Sequence, residues 1–136
     1  MASPSYPLKR LLIATAVIEL GPGVGLLCWP SAVVALLLGT PLDTVATLAL
    51  GRLAGAALLT LALACWLARD HGQNPAARGV VVAMTLYNLG AVIVLGAAAL
   101  QLPAHGLALR AVVALHAAMG AWCVVSLRGK VAAHVQ

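Results

Sequence analysis

The sequence predicts an all-α, polytopic membrane protein, an antiparallel bundle of four transmembrane helices. Four apolar stretches fill most of the 136 residues, at about 9–29, 42–68, 76–100 and 105–127. Each is near the roughly 20 residues that cross the hydrocarbon core of a bilayer. The chain is 63% hydrophobic and 8% charged, so its apolar surface exceeds what a soluble domain of this size can bury. We expect residues 1–136 to form one transmembrane domain.

The apolar stretches are predicted to be helices. Inside a bilayer every backbone amide needs a partner within the protein, and long stretches without alternating polarity favour α-helix. The sequence Thr-Pro-Leu-Asp at 40–43 is predicted to cap the second helix, and Asn74 with Pro75 to cap the third. Residues at about 31–39 are apolar but too few to span a membrane. They are predicted to form an interfacial or re-entrant segment after helix 1, as a plain connector or a lid.

The basic residues predict how the helices are oriented. Six of the eight lie beside the N-terminus, the second connection and the C-terminus. The positive-inside rule therefore predicts that both termini and this connection face the cytoplasm, with the protein in the inner (cytoplasmic) membrane. These residues form no continuous stripe, so nucleic-acid binding is not expected. The six residues are Lys9, Arg10, Arg69, Arg78, Arg128 and Lys130.

Three charged residues lie within the apolar runs of the predicted spans, away from the charged residues at the span ends, namely Glu19, Arg52 and Arg110. Charges within a membrane are costly and usually face the bundle interior or a wet cavity, so these residues are candidates for a functional site. Counting about 1.5 Å per residue places both arginines at similar depth in the outer half. Two guanidinium groups at one level could hold an anionic head group. Alternatively, one arginine pairs with Glu19 and the other reaches outward to the interface.

Glu19 is closely followed by Gly21, Pro22 and Gly23. These residues weaken the helical hydrogen-bond ladder, so a kink is predicted in the first helix. A kink beside an acid can admit water or a ligand, and burial favours the protonated acid, as a proton-coupled carrier requires. The glycines could equally form a packing notch, with the carboxyl group paired to another helix.

Polar side chains at mid-depth in the last two spans could join Glu19 in one layer. Thr85, Tyr87 and Asn88 lie in the third span, and His116 lies in the fourth. An interhelical hydrogen bond is the preferred role of His116, because no second His or Cys has the spacing of a haem or metal ligand. No catalytic or metal-binding residue is predicted. The predicted ligand-binding residues are Glu19, Arg52, Tyr87, Asn88, Arg110 and His116.

Two stripes of small residues would allow helices to approach closely. One lies on the second helix and one on the fourth, and packing within one bundle explains them as well as dimerisation does. The stripes are Thr47, Gly51 and Gly55, and Ala114, Ala117 and Ala121.

The four spans and the single acid of the first helix, Glu19, resemble small multidrug resistance transporters, whose corresponding glutamate exchanges protons for cationic drugs. This resemblance implies a proton-coupled transporter that acts as a homo-oligomer through Glu19. The chain departs from that family because it has no Phe and two Tyr, and because Arg52 and Arg110 would oppose a cationic substrate. Apolar runs that end in glycine, such as 35–39, are also similar to DoxX-like four-helix proteins, which implies a link to quinone redox chemistry.

Three classes of function stay open at this point. The first is a non-enzymatic bundle that binds an amphiphilic or anionic small molecule, lipid-like or quinone-like, or that serves as a subunit of a membrane complex. The second is the proton-coupled transporter. An enzyme has least support, since no nucleophile-base pair, phosphate loop or metal-ligand spacing occurs. The expected partners are the lipid bilayer, an amphiphilic ligand and further membrane chains, while the sequence specifies no cofactor.

Overall fold

The computed structural model describes residues 6–71, 74–102 and 106–128, and within them it contains five helices and no strand. Four of these helices are long and apolar enough to cross a membrane. The predicted fold class, a helical membrane bundle with a short segment after the first long helix, is confirmed. The helices are α1 (Tyr6–Cys28), α2 (Pro30–Leu38), α3 (Val45–Ala68), α4 (Pro75–Gln101) and α5 (Leu109–Arg128).

The start of α3 differs from the prediction. The side chain of Thr44 accepts a hydrogen bond from the amide of Thr47 at 3.1 Å, and the Thr47 hydroxyl accepts one from the Thr44 amide at 3.2 Å. These two bonds form a reciprocal capping box, so α3 begins at Val45. The predicted cap at 40–43 is therefore wrong, because two threonines just beyond it satisfy the first free amides of the helix.

The start of α4 follows the prediction. The Asn74 side chain accepts a hydrogen bond from the amide of Ala76 at 2.9 Å, and Pro75 occupies the first helical position. In α1, by contrast, Pro22 lies inside a helix that continues to Cys28. Proline has no amide hydrogen, so a helical carbonyl one turn earlier loses its usual donor. The kink itself stays a prediction.

The short segment after α1 is the helix α2. It ends at Gly39, whose φ of 83° is left-handed and suits glycine. The last carbonyls of α2 bind the chain that leads into α5. Leu37 accepts a hydrogen bond from the amide of Gly106 at 3.0 Å, and Leu36 accepts one from Ala108 at 3.2 Å. These bonds satisfy carbonyls that a helix end leaves free. Helix α2, which connects α1 to α3, is thereby bound to the chain that precedes α5.

The four long helices form two closely packed antiparallel pairs, α1 with α3 and α4 with α5. In the first pair, Lys9 Nζ near the start of α1 lies 2.6 Å from Asp70 Oδ1, just beyond α3. Further along α1, Gly23 faces Leu59, and a Cβ added at Gly23 would lie 2.8 Å from a Leu59 methyl carbon. Contacts between the two pairs are much sparser than contacts within them.

The two ends of the bundle differ in charge. We call the end that carries Lys9, Arg69, Arg78 and Arg128 the basic end. The opposite end carries the short helix α2, and we call it the α2 end. Each long helix runs from one of these ends to the other, as the antiparallel order requires.

Buried side chains are concentrated toward the basic end. Leu11, Leu12, Val81 and Met84 are at most 1% exposed, and they belong to one cluster contributed by all four long helices. In α4, no residue beyond Asn88 is buried. The core of the bundle is therefore strongest in the half near the basic end.

At the α2 end, α1 and α3 approach each other closely at glycine residues. A Cβ added at Gly55 would lie 2.8 Å from both the Gly23 carbonyl oxygen and the Leu27 amide nitrogen. A Cβ at Gly51 would lie 2.9 Å from the Pro30 Cβ. These two glycines of the small-residue stripe on α3 thus serve packing within the bundle. The alanine stripe on α5 is exposed, and its use in dimerisation stays a prediction.

Candidate functional site

Glu19 is buried in the middle of α1 with an exposed fraction of 3%. The Tyr87 hydroxyl on α4 donates a hydrogen bond to Glu19 Oε2 at 3.3 Å. Because α1 and α4 belong to different helix pairs, this bond crosses the interface between the pairs. Within the described part of the chain, both ion pairs involve Asp70 and neither involves Glu19. The acid is therefore held by a neutral phenol and by no cation.

Asn88 and His116 connect α4 to α5, and both are buried. The Asn88 Nδ2 amide donates to the carbonyl of Met84 at 2.7 Å, so its Oδ1 is the acceptor for His116 Nδ1 at 2.9 Å. His116 Nδ1 must then carry a hydrogen, so in the neutral form of the ring Nε2 is the acceptor nitrogen. The hydrogen bonds of Asn88 thus set the tautomer of the histidine.

Tyr87 links these two contacts into one arrangement. Its ring meets the His116 ring edge to face, with centroids 5.5 Å apart and planes at 82°, a favourable geometry for aromatic pairs. Its hydroxyl binds Glu19 at the same time. We call Glu19, Tyr87, His116 and Asn88 the polar layer. It joins α1, α4 and α5 at about the mid-length of α4.

The polar layer can hold or release a proton. Every fully buried side-chain nitrogen or oxygen in the described residues has a hydrogen-bond partner, while the hydrogen bonds of the layer use Glu19 Oε2 and His116 Nδ1 and leave Glu19 Oε1 and His116 Nε2 as acceptors. An unpaired carboxylate among apolar groups is costly, and a neutral acid avoids that cost. In the described ranges no three His, Cys, Asp or Glu side chains are grouped closely enough to hold a metal ion. The carboxyl, phenol, imidazole and amide groups of the layer supply proton binding and hydrogen bonding.

Arg52 and Arg110 lie apart from the polar layer. Both side chains are exposed, so the expectation that they face the bundle interior is wrong. Each directly follows an inward residue, Gly51 on α3 and Leu109 on α5, and one step along a helix turns the side chain by about 100°. Both arginines lie near the α2 end, where long side chains can reach the interface. Their role in ligand binding stays a prediction.

Two residues near the polar layer differ from the sequence-based interpretation. The Thr85 hydroxyl donates to the carbonyl of Val81 at 2.8 Å, so its hydrogen is used within α4. Gly120 was not singled out, yet a Cβ added there would lie 3.4 Å from the Asn88 Cβ. Gly120 lies four residues after His116 and therefore on the same helix face. That spacing is the signal that could have identified it.

Comparisons with protein-family models, with curated proteins and with solved structures found no match for this chain. The fold and the site together define a small multi-pass helical membrane protein with a buried polar layer between two helix pairs.

Proposed function

We propose that the protein is a proton-coupled membrane carrier in which Glu19 binds and releases the proton. The observation that carries this proposal is the placement of Glu19. It is a buried acid inside a long apolar helix, and its partner is the Tyr87 hydroxyl of the other helix pair, at 3.3 Å. Acids at such positions in membrane bundles commonly belong to proton pathways.

The proposed mechanism couples the charge of Glu19 to the separation of the helix pairs. With a proton bound, the neutral acid fits the buried polar layer. When the proton leaves, one long hydrogen bond from Tyr87 cannot replace the hydration of a carboxylate. Water or a solute must then enter, and the sparse contacts between the pairs are the contacts that yield. Rocking of two rigid halves about a central site is a common basis of alternating access.

The groups that surround Glu19 suit this role. Each of the other three long helices contributes at least one buried or half-buried titratable side chain to the middle or the basic half of the bundle. These side chains are Cys65 on α3, Tyr87 on α4, and His116 and Cys123 on α5. None of them is a cation with a fixed charge. His116 offers its Nε2 as a second proton acceptor, because Asn88 fixes the hydrogen on Nδ1.

Binding of an anionic amphiphile between Arg52 and Arg110, the first function predicted from the sequence, has less support. Both arginines are exposed, and neither contacts the polar layer. For a quinone-like ligand, the Tyr87 hydroxyl and the Asn88 amide, the donors of the layer, are already used in hydrogen bonds to Glu19 and Met84. A role as a subunit of a larger complex, or as a homo-oligomer, remains compatible with the carrier proposal.

The proposal includes an orientation. The basic end, with Lys9, Arg69, Arg78 and Arg128, is placed on the cytoplasmic side of the inner membrane according to the positive-inside rule. Reporter proteins fused to either terminus test this directly. Active cytoplasmic reporters at both ends support the orientation, whereas an exported reporter at either end contradicts it.

The protonation of Glu19 can be measured by infrared spectroscopy of the protein in lipid vesicles. At neutral pH we expect the carbonyl band of a protonated carboxylic acid in the wild type and its loss in Glu19→Gln. Asp43→Asn is the matched control, because Asp43 is an exposed acid and its removal leaves the band. Absence of the band from the wild type, or its survival in Glu19→Gln, contradicts the proposal.

Transport itself is tested by proton flux into vesicles that contain a pH-sensitive dye, driven by a potassium diffusion potential. We expect flux with the wild type and with Asp43→Asn, and background flux with Glu19→Gln. Gln keeps the size of the side chain and can still accept the bond from Tyr87, so loss of flux would reflect loss of the titratable group. Equal flux from wild type and Glu19→Gln would refute the carrier function.

A further inference from the structure

An apolar groove of about 420 Å³ runs along the outside of the first helix pair. Val17 and Leu20 line it on α1, and Leu59, Leu63 and Trp66 line it on α3. Val17 is 62% exposed and Leu63 is 57% exposed, so the groove is open to the surroundings of the bundle. Its exposed α1 wall, Val17 and Leu20, is separate from the buried Glu19 side chain, while Ala16 at its base lies three residues before Glu19 and adjoins the helix face that carries the acid.

The groove has a positively charged mouth at the basic end. The Arg69 guanidinium carbon lies 4.0 Å from the centroid of the Trp66 ring, and Trp66 lines the groove. Arg10 lies seven residues before Val17, which is about two helical turns, so both residues share one face of α1. Arg10 is exposed. Two arginines on different helices thus flank the end of the groove.

The charges at this mouth are only partly neutralised. Asp70 Oδ2 lies 3.3 Å from Arg69 Nε, and its Oδ1 lies 2.6 Å from Lys9 Nζ. In the described residues neither ion pair includes Arg10. Three cations therefore share one acid, and the guanidinium of Arg69 keeps donors that can bind a further anion.

We propose that this groove binds an anionic phospholipid, with one acyl chain in the groove and the phosphate between Arg10 and Arg69. The groove is apolar along its wall, and at the basic end it reaches Trp66 and then two arginines. This order matches the acyl tail, the interfacial region and the head group of such a lipid. Because the proposed head-group contacts are Arg10 and Arg69 and the exposed wall is Val17, none of which belongs to the polar layer, the lipid site does not depend on the proton-carrier function.

The head-group preference can be measured by native mass spectrometry. The protein is released from bilayers of equal parts phosphatidylglycerol and phosphatidylcholine with identical chains. We expect the wild type to retain phosphatidylglycerol preferentially. Arg10→Gln should lower that preference about fivefold, which is the typical effect of one juxtamembrane basic residue. Arg128→Gln is the matched control, because Arg128 is exposed at the same end on α5 and its loss should leave the preference unchanged.

The tail site is tested separately with Val17→Trp, which places an indole in the groove from its exposed side. We expect this variant to lose most bound phosphatidylglycerol. Val82→Trp is the control, since Val82 is 55% exposed on α4 and lies outside the groove. The proposal is refuted if the wild type retains both lipids equally, if Arg10→Gln and Arg128→Gln behave alike, or if Val17→Trp retains as much lipid as Val82→Trp.

Discussion

The two ends of the bundle are held together in opposite ways. Near the basic end, large side chains such as Leu12 and Met84 fill a core shared by all four long helices. Near the α2 end, helices meet where side chains are missing, as at Gly55 against the backbone of Gly23 and Leu27. The basic end is therefore stabilised by large buried side chains, and the α2 end by the close helix approach that glycine allows.

The polar layer lies at the boundary between these two regimes. Asn88 is the last buried residue of α4, and the core of large side chains lies on its basic side. Under the proposed mechanism, the layer opens more easily toward the α2 end, where α4 lacks buried side chains. The tightly packed basic end then serves as the fixed part of the movement.

The largest effect is expected from added side-chain volume at the α2 end, where the helices approach closely. Gly55→Ala introduces a Cβ 2.8 Å from two backbone atoms of α1, and backbone cannot turn aside as a flexible side chain can. We expect a loss of about 3 kcal/mol in unfolding free energy, the upper part of the range for overpacking. The measurement is reversible unfolding in mixed detergent micelles.

The control for that substitution is Gly79→Ala on α4, where an added Cβ meets nothing within 4 Å. Alanine favours helix over glycine, so this change should be neutral or stabilise by up to about 1 kcal/mol. Equal unfolding free energies for Gly55→Ala and Gly79→Ala would contradict the close approach of α1 and α3 at Gly55.

Removing volume should have its effect at the basic end. Leu12→Ala opens a cavity at a position that is 1% exposed, and we expect a loss of about 2 kcal/mol, the low end for such changes. The low end applies because lipid solvates the unfolded apolar side chain, so only packing is lost. Leu86→Ala at an exposed position of α4 is the control. Equal stabilities for these two variants would contradict the placement of the core.

The hydrogen bond between Asn88 and His116 is expected to contribute less. A double-mutant cycle with Asn88→Ala and His116→Ala should give a coupling free energy of about 1 kcal/mol, as for other polar contacts between membrane helices. Thr85→Ala in place of Asn88→Ala is the matched control, since the Thr85 hydroxyl bonds within its own helix. Coupling as large with Thr85 as with Asn88 would mean that the polar layer is assembled differently.

The sequence predicts the class of fold well because apolar length is a local property of the chain. It also predicts that Glu19, Tyr87, Asn88 and His116 meet, since each is polar at mid-span and lipid excludes polar groups. It fails for Arg52 and Arg110, because a long side chain near a helix end can reach the interface without turning inward. Which neighbour each glycine contacts depends on helix pairing, which single-sequence patterns do not contain.

The smallest expected effect concerns the ion pair at the basic end. The hydrogen bond from Lys9 Nζ lowers the pKa of Asp70 below its ordinary value, with smaller help from the nearby Arg69. A carboxyl group whose pKa is lower in the folded state stabilises the fold above its unfolded pKa, and this contribution disappears as the pH falls through the folded value. Both side chains are about half exposed, so the effect is small. Lys9→Gln should remove this pH-dependent contribution. The measurement is the unfolding free energy of the wild type and of Lys9→Gln from neutral to acidic pH. If the two free energies change in parallel, the contact contributes nothing.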